Sequence, residues 1–312
     1  MGFDRQQLET FAAVIETRHF GKAAGVLNVT RGAVSQRIIA LEEAFGTPLL
    51  IRDGISPTPA GEALLGHIQA LKLLEANTLK RIKPSSNERV KIAIAVNADS
   101  LATWFEPIAC DIAKQEFALE LIVDDQDFTL SALTRGEAIG CISTESQSPT
   151  GFVADAIGGM EYECVATSAF AEEHFSQGIN VHSVLAAPAV LFNRKDGIHA
   201  TFLEQLLGFS ISGYAAHYFP SPLALLRAIY SGVGYGLIPS MQAQPLIETG
   251  GVIALAPRNN VFVNLYWHHW ESAPESARAI SEMIVGEARR VLIRPSGMFL
   301  DRPDESWTKI RG

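Results

Sequence analysis

Apolar positions in the first sixty residues recur at helical spacing in short blocks. Phe11, Val14 and Ile15 mark one helix face, and Ala23, Ala24 and Leu27 mark a second, small enough for close packing. Asn28 and Val29 then read as a tight turn, and Thr30 is placed to cap a third helix. In that helix Val34, Ile38 and Leu41 fall at i, i+4 and i+7, an inward stripe. Arg31, Ser35, Gln36 and Arg37 lie off the stripe, and Gly46 supplies the stop. Pro48 to Arg52 and Ser56 to Thr58 read as two short strands. Beyond them Leu64, Ile68, Leu71, Leu74, Leu79 and Ile82 hold one apolar stripe over about five turns. A single-stripe helix of that length predicts a partner helix; packing on its own domain is the alternative. Lys80 to Glu88 is a polar hinge, and Pro84 ends the helix.

From residue 89 the texture changes to apolar runs alternating with helical patterns. Strands are predicted at 90–96, 119–123, 138–143, 162–167, 189–192, 214–218, 235–238 and 261–268. Helices are predicted at 101–114, 130–134, 169–175, 199–207 and 223–231, through 247, and at 276–292. This is the βαβ alternation of parallel sheets covered by helices.

Two helices joined by a tight turn, the second presenting polar residues from its first turns, suit the DNA major groove. Arg pairs bidentately with guanine and Gln with adenine, which makes Thr30, Arg31, Ser35, Gln36 and Arg37 candidate contacts. Arg52, at the end of the first of the two short strands, would meet phosphate. An ordinary helical hairpin with a solvated polar face is the competing reading. The net charge of −9 fits DNA poorly until it is divided. Residues 1–84 hold 10 Lys/Arg and 8 Asp/Glu, against 15 and 26 in the rest. A weakly basic head on an acidic body predicts sequence-specific binding rather than tight non-specific binding. No run approaches the ~20 apolar residues of a membrane span, and the N-terminus has no signal-peptide core, so a cytoplasmic protein is expected. Cys110, Cys141 and Cys164, widely spaced in apolar stretches, are expected to be buried free thiols.

Candidate ligand chemistry gathers at predicted strand ends, where open α/β folds form their crevices. Residues 97–104 (Asn-Ala-Asp-Ser-Leu-Ala-Thr-Trp) follow the first sheet strand and open a helix. Free N–H groups there, with the hydroxyls of Ser100 and Thr103, suit a carboxylate. The next strand ends in Asp124, Asp125, Gln126 and Asp127, which suit an ammonium or guanidinium. The strand after it ends in Ser143, Thr144 and Glu145. A carboxylate end and a cation end together fit a basic amino acid. A solvated acidic loop is the alternative. Gly232 to Gly236 follows a helix and precedes a strand, the wrong order for a phosphate loop. His268 and His269 are adjacent on a strand and point to opposite faces, so they do not share a metal easily. No cofactor, metal site or catalytic constellation is expected, which argues against an enzyme.

Phe20, Ala23-Ala24, Leu27, Thr30, Ala33-Val34-Ser35, Ile38, Leu41-Glu42, Gly46, Pro48-Leu49, Arg52 and Thr58 to Gly61 stand at fixed spacing. On them the segment from Phe11 to Gly61 resembles the winged helix-turn-helix of LysR-type transcriptional regulators. Gly232 to Pro239 resembles a signature of their effector-binding module. The residues of 97–104, Arg135-Gly136-Glu137 and Tyr266-Trp267-His268 resemble the branch that senses lysine and arginine and controls export of basic amino acids.

The resemblance implies an α/β protein. Its parts are a winged helix-turn-helix over 1–60, a linker and dimerisation helix with hinge over 61–88, and a two-lobed effector module resembling periplasmic binding proteins. Lobe 1 would comprise 89–160 and 265–294 and lobe 2 161–264; the stretch 295–312 has no counterpart in the resemblance and reads as a flexible tail. It also implies a homodimer that can pair into a tetramer, a double-stranded DNA operator and RNA polymerase as partners, and no membrane. Asn193, with Arg194 to Asp196 and Tyr218 to Ser221, would face the cleft by topology. A regulator of another small metabolite and a ligand-independent architectural DNA-binding protein remain as alternatives.

Overall fold

The computed structural model describes residues 4–83, 89–115, 117–123 and 126–293. The chain divides into two compact units, one of Met1–Asp155 with Tyr266–Gly286, the other of Ala156–Leu265 with Glu287–Gly312. The last division between the units, after residue 286, falls inside the last helix.

The first unit opens with a helical head. Helix α1 (Arg5–Thr17) is capped by Asp4, whose carboxylate accepts from the Gln7 N–H at 3.1 Å. Helix α2 (Phe20–Val26) is capped by the His19 ring. Helix α3 (Arg31–Phe45) begins at Thr30, whose Oγ1 accepts from the Ala33 N–H at 3.2 Å, and ends at Gly46 with φ 66°. That left-handed conformation is why glycine stands there. Strands β1 (Leu50–Ile51) and β2 (Ser56–Pro57) form an antiparallel wing pairing Leu50 with Pro57. Thr58 then caps α4 (Pro59–Ile82), which has proline in its first turn as helix starts tolerate.

Phe11, Val14, Ala23, Val34, Ile38, Leu41 and Leu49 form the head's core together with Leu64, Leu65 and Ile68 of α4. This divides the long stripe. Its first half, partly buried Leu71 included, packs in the chain's own head, whereas Leu74, Leu79 and Ile82 are 52%, 59% and 68% exposed. A partner helix is therefore needed only by the second half.

The rest of the first unit is a sheet backed by helices. Strand β3 (Val90–Val96) leads into α5 (Ala98–Ser100), a π-helical turn (Leu101–Phe105) and α6 (Glu106–Lys114). Then come β4 (Phe117–Val123), α7 (Gln126–Thr134) and β5 (Gly140–Ser143). β3 pairs in parallel with both β4 and β5, as the βαβ pattern predicts.

Strand β6 (Phe152–Ala166) is 15 residues long and starts ten residues before the predicted strand. In the second unit follow α8 (Ser168–His174), α9 (Val181–Ala186), β7 (Ala189–Leu191), α10 (Ile198–Leu207), β8 (Ala216–Tyr218), α11 (Pro222–Tyr230), β9 (Gly236–Pro239), α12 (Ser240–Glu248) and β10 (Ile253–Ala254). β9 and β10 pair antiparallel with β6, and β7 pairs in parallel with β8. Gly236 is explained by packing: a Cβ there would stand 2.5 Å from the Val190 carbonyl oxygen. β11 (Val261–Trp270) and α13 (Glu275–Val291) complete the described chain, and β11 pairs antiparallel with β5, Tyr266 opposite Ser143. The tail from 295, the hinge residues 84–88 and the pair Asp124 and Asp125 lie outside the described residues.

Candidate functional site

On the head, α3 buries Val34, Ile38 and Leu41 and leaves Arg31 and Gln36 exposed, with Ser35 half-buried. Arg37 is placed differently. Its guanidinium donates to Gln6 Oε1 at 3.0 Å and to Thr10 Oγ1 at 3.3 Å, tying α3 to α1. Thr30 serves as the helix cap. Arg52, three-quarters exposed on the wing, stands 3.7 Å from the Glu42 carboxylate. Glu42 is a residue that the polar-face argument missed. Its Oε1 accepts from the Leu49 and Leu50 N–H groups at 2.9 and 3.2 Å, so α3 holds the base of the wing.

In the first lobe, register brings the turn at Asn97–Ser100 and the residues Ser143 to Glu145 to one sheet edge. Ala95 pairs with Cys141 and Val96 with Val123, so β3, β4 and β5 all run out at the same carboxyl-end edge. Open α/β folds bind ligands at such edges. Buried Asn97 shapes the turn: its Oδ1 accepts from the Ser100 N–H at 3.1 Å. Ser100 is fully buried, and Thr103 donates its hydroxyl to the Asp99 carbonyl at 2.6 Å. Thr103 thus spends its proton inside the helix and keeps only acceptor capacity for a ligand. The helix widens into the π turn here, a distortion that recurs at functional sites. Within that turn the Trp104 indole N–H is buried without a hydrogen-bond partner.

At the end of β5, buried Ser143 accepts from the Glu145 N–H at 3.1 Å; Thr144 is half-buried and Glu145 exposed. The following loop is held by His268, which residue spacing alone did not assign. Its Nε2 lies 2.7 Å from the Glu145 carbonyl oxygen and its Nδ1 3.3 Å from Ser148 Oγ. Burial holds its pKa below the ordinary value, against the pull of the Glu145 carbonyl. His269 instead meets Asp155 at 3.0 Å, so the two histidines keep separate partners. Asp124, Asp125 and the side chain of Gln126 lie outside the described residues.

In the second unit Asn193 is half-buried and turns inward on its own loop, accepting from the Lys195 N–H at 2.7 Å. Arg194 lies 4.7 Å over the Tyr218 ring. No group of three or more potential metal ligands gathers among the described residues. Cys141 and Cys164 are buried, and burial pushes the Cys141 thiol up to about 12. Cys110 departs from expectation: it is exposed on α6, because the buried face of that helix runs through Ile108, Ala109 and Ile112. No helix among the described residues is long and apolar enough to cross a membrane.

Residues 5–62 match the family model of the bacterial regulatory helix-turn-helix protein, lysR family, and residues 92–289 match the LysR substrate binding domain. The HTH-type transcriptional regulator ArgP of Photobacterium profundum is 37% identical over 294 residues, covering 93% of this chain and 99% of the relative. That of Aeromonas salmonicida is 35% identical over 292 residues, covering 93% and 98%. Among solved structures, ArgP from Mycobacterium tuberculosis superposes with a TM-score of 0.84 at 31% identity, over 95% of this chain and 100% of that one. Full-length LysG from Corynebacterium glutamicum with bound effector Arg gives 0.79 at 28% identity, over 94% and 100%. With both its head and its α/β module matched, this chain belongs to the LysR family of bacterial DNA-binding transcriptional regulators.

Proposed function

We propose that the chain is a sequence-specific regulator switched by a basic amino acid, arginine or lysine. The observation that carries this reading is the common carboxyl-end edge of β3, β4 and β5. There the Asn97–Ser100 turn is followed by a buried, unpartnered indole N–H, and the acidic sequence 124–127 comes directly after β4. The effector's carboxylate would take the Ser100 hydroxyl and the Asn97–Ser100 turn. Its cation would take Asp124 and Asp125, with Gln126, Ser143, Thr144 and Glu145 around it. Arginine bound to LysG and the ArgP relatives support the ligand class. Arg31, Ser35 and Gln36 would read bases and Arg52 would meet phosphate. The exposed second half of α4 supports a homodimer, whose paired heads would read two half-sites and address RNA polymerase in the cytoplasm.

Calorimetry on the full chain with arginine, lysine and norleucine tests this. Norleucine keeps the carboxylate and loses the cation, so the acids would be left unpaired and binding should weaken by ~2 kcal/mol or more. Equal affinity for lysine and norleucine, or none for any basic amino acid, sinks the ligand while leaving the regulator.

A further inference from the structure

We infer that Trp270, seated in a notch left by Gly66 of α4, is a positioning residue that joins the DNA-binding head to the first effector lobe. Two glycines interrupt the first half of α4. Gly61 answers to the head itself, since a Cβ there would run into the Leu49 carbonyl oxygen. Gly66 has no such reason. It lies inside a helix, where glycine is less favourable than alanine, and a Cβ on it would overlap the six-membered ring of Trp270. The indole fills the space that the missing side chain leaves.

Neighbouring residues extend the joint. A Cβ on Gly136, at φ +67°, would stand 3.0 Å from Leu65 Cβ, so the turn after α7 also abuts α4. Glu62 is half-buried against Thr134 and Arg135. Residues 62, 65 and 66 fall at i, i+3 and i+4, one face of the helix. Leu64, Leu65 and Ile68 of the same turns sit in the head's core. A shift of α4 is therefore felt on both sides.

On the lobe side Trp270 ends β11. It packs on Phe152, ring centroids 4.7 Å apart, and against the cluster of Ala95, Ala132, Leu133, Ala138 and Cys141. His268 precedes it by two residues on the same strand face. That histidine fastens the Glu145–Ser148 loop beside the proposed ligand edge. The path from ligand to head is thus short: loop, His268, Trp270, Gly66. Its ligand end rests on the basic-amino-acid reading; its Trp270–Gly66 end does not.

The test uses the full-length protein with Gly66→Ala, which favours the helix but excludes the indole, and with Trp270→Ala and Trp270→Phe. Hydrogen exchange should quicken in 59–71 and 266–271 of Gly66→Ala and Trp270→Ala. Fluorescence anisotropy would give operator affinity with and without L-arginine. A wild-type response of about fivefold or more should fall below about twofold in those two variants and recover in part in Trp270→Phe. Calorimetric arginine affinity and arginine-free operator affinity should stay within about threefold. Unchanged protection in Gly66→Ala, or a full arginine response from an undocked variant, overturns the inference. A wild type indifferent to arginine and lysine defeats the ligand reading instead, and the exchange data alone then decide the joint. Should Gly66→Ala fail to fold, Trp270→Ala carries both arms, and unchanged protection in it overturns the inference.

Discussion

Glu42→Ala should loosen the wing without touching the exposed Arg31 and Gln36 of α3. The wing has little of its own to hold it, since β1 and β2 are two residues each. Its base is fixed by Glu42, accepting from the Leu49 and Leu50 N–H groups, and by Thr58, donating to the Pro48 carbonyl at 2.8 Å. Hydrogen bonds to a charged acceptor contribute ~1.5–3 kcal/mol each, and orphaning a buried donor costs a similar amount. Leu49 and Leu50 are 2% and 6% exposed, so their amides find little water once the carboxylate is gone. Both bonds share one oxygen, so a loss of ~2–4 kcal/mol is expected rather than their full sum. The Arg52 pair adds little: at 3.7 Å with the guanidinium three-quarters exposed, such a contact is worth ~0–1 kcal/mol. Glu42→Gln keeps a neutral acceptor and should lose about half as much. Amide exchange at Leu49 and Leu50 reads the effect locally, which matters because a two-unit chain need not unfold in one step. Protection at both amides within ~0.5 kcal/mol of wild type in Glu42→Ala would refute the reasoning.

Three further outcomes follow from burial and partners. Ile68→Asp places a charge in the head's core and should unfold it, whereas Leu79→Asp, on a 59% exposed position, should keep the head's circular dichroism and weaken self-association in sedimentation. Gln36→Ala should lose ~1–3 kcal/mol of operator discrimination at unchanged stability, measured by footprinting, whereas Arg37→Ala should also lower the head's melting temperature by freeing Gln6 and Thr10. His199 is 1% exposed among Phe202, Tyr214 and Tyr235, and burial drops its pKa to about 4. Between the unfolded value near 6.5 and about 4 the unfolded chain binds the extra proton, so stability falls with falling pH by up to ~3 kcal/mol. Urea midpoints against pH should show that limb, and His199→Phe should flatten it.

What the sequence disclosed and what it hid divide along physical lines. Helix α3 was legible because local forces set it: Thr30 caps it, Gly46 ends it in a left-handed turn, and its inward residues recur at helical spacing. β3 and β5 were legible because strands buried under helices are continuous apolar runs. The roles of polar residues were not, because they depend on what the fold brings near. Arg37 sits on the outer face by periodicity yet is bound to Gln6, thirty-one residues away. Thr103 reads as a free hydroxyl until its own helix takes the proton. The early start of β6 was hidden because Asp155, Gly158 and Gly159 break the apolar run; a Cβ on Gly159 would stand 2.8 Å from the Val263 carbonyl oxygen, a closeness no local pattern encodes. α4 shows the limit most clearly. A stripe says that a face is covered, not by what. Here one helix divides its apolar residues between its own head and open surface, and on a further face gives up a side chain at Gly66 to admit Trp270. Periodicity registers the first two as one stripe and the third as a defect, although the notch marks where the head meets the lobe.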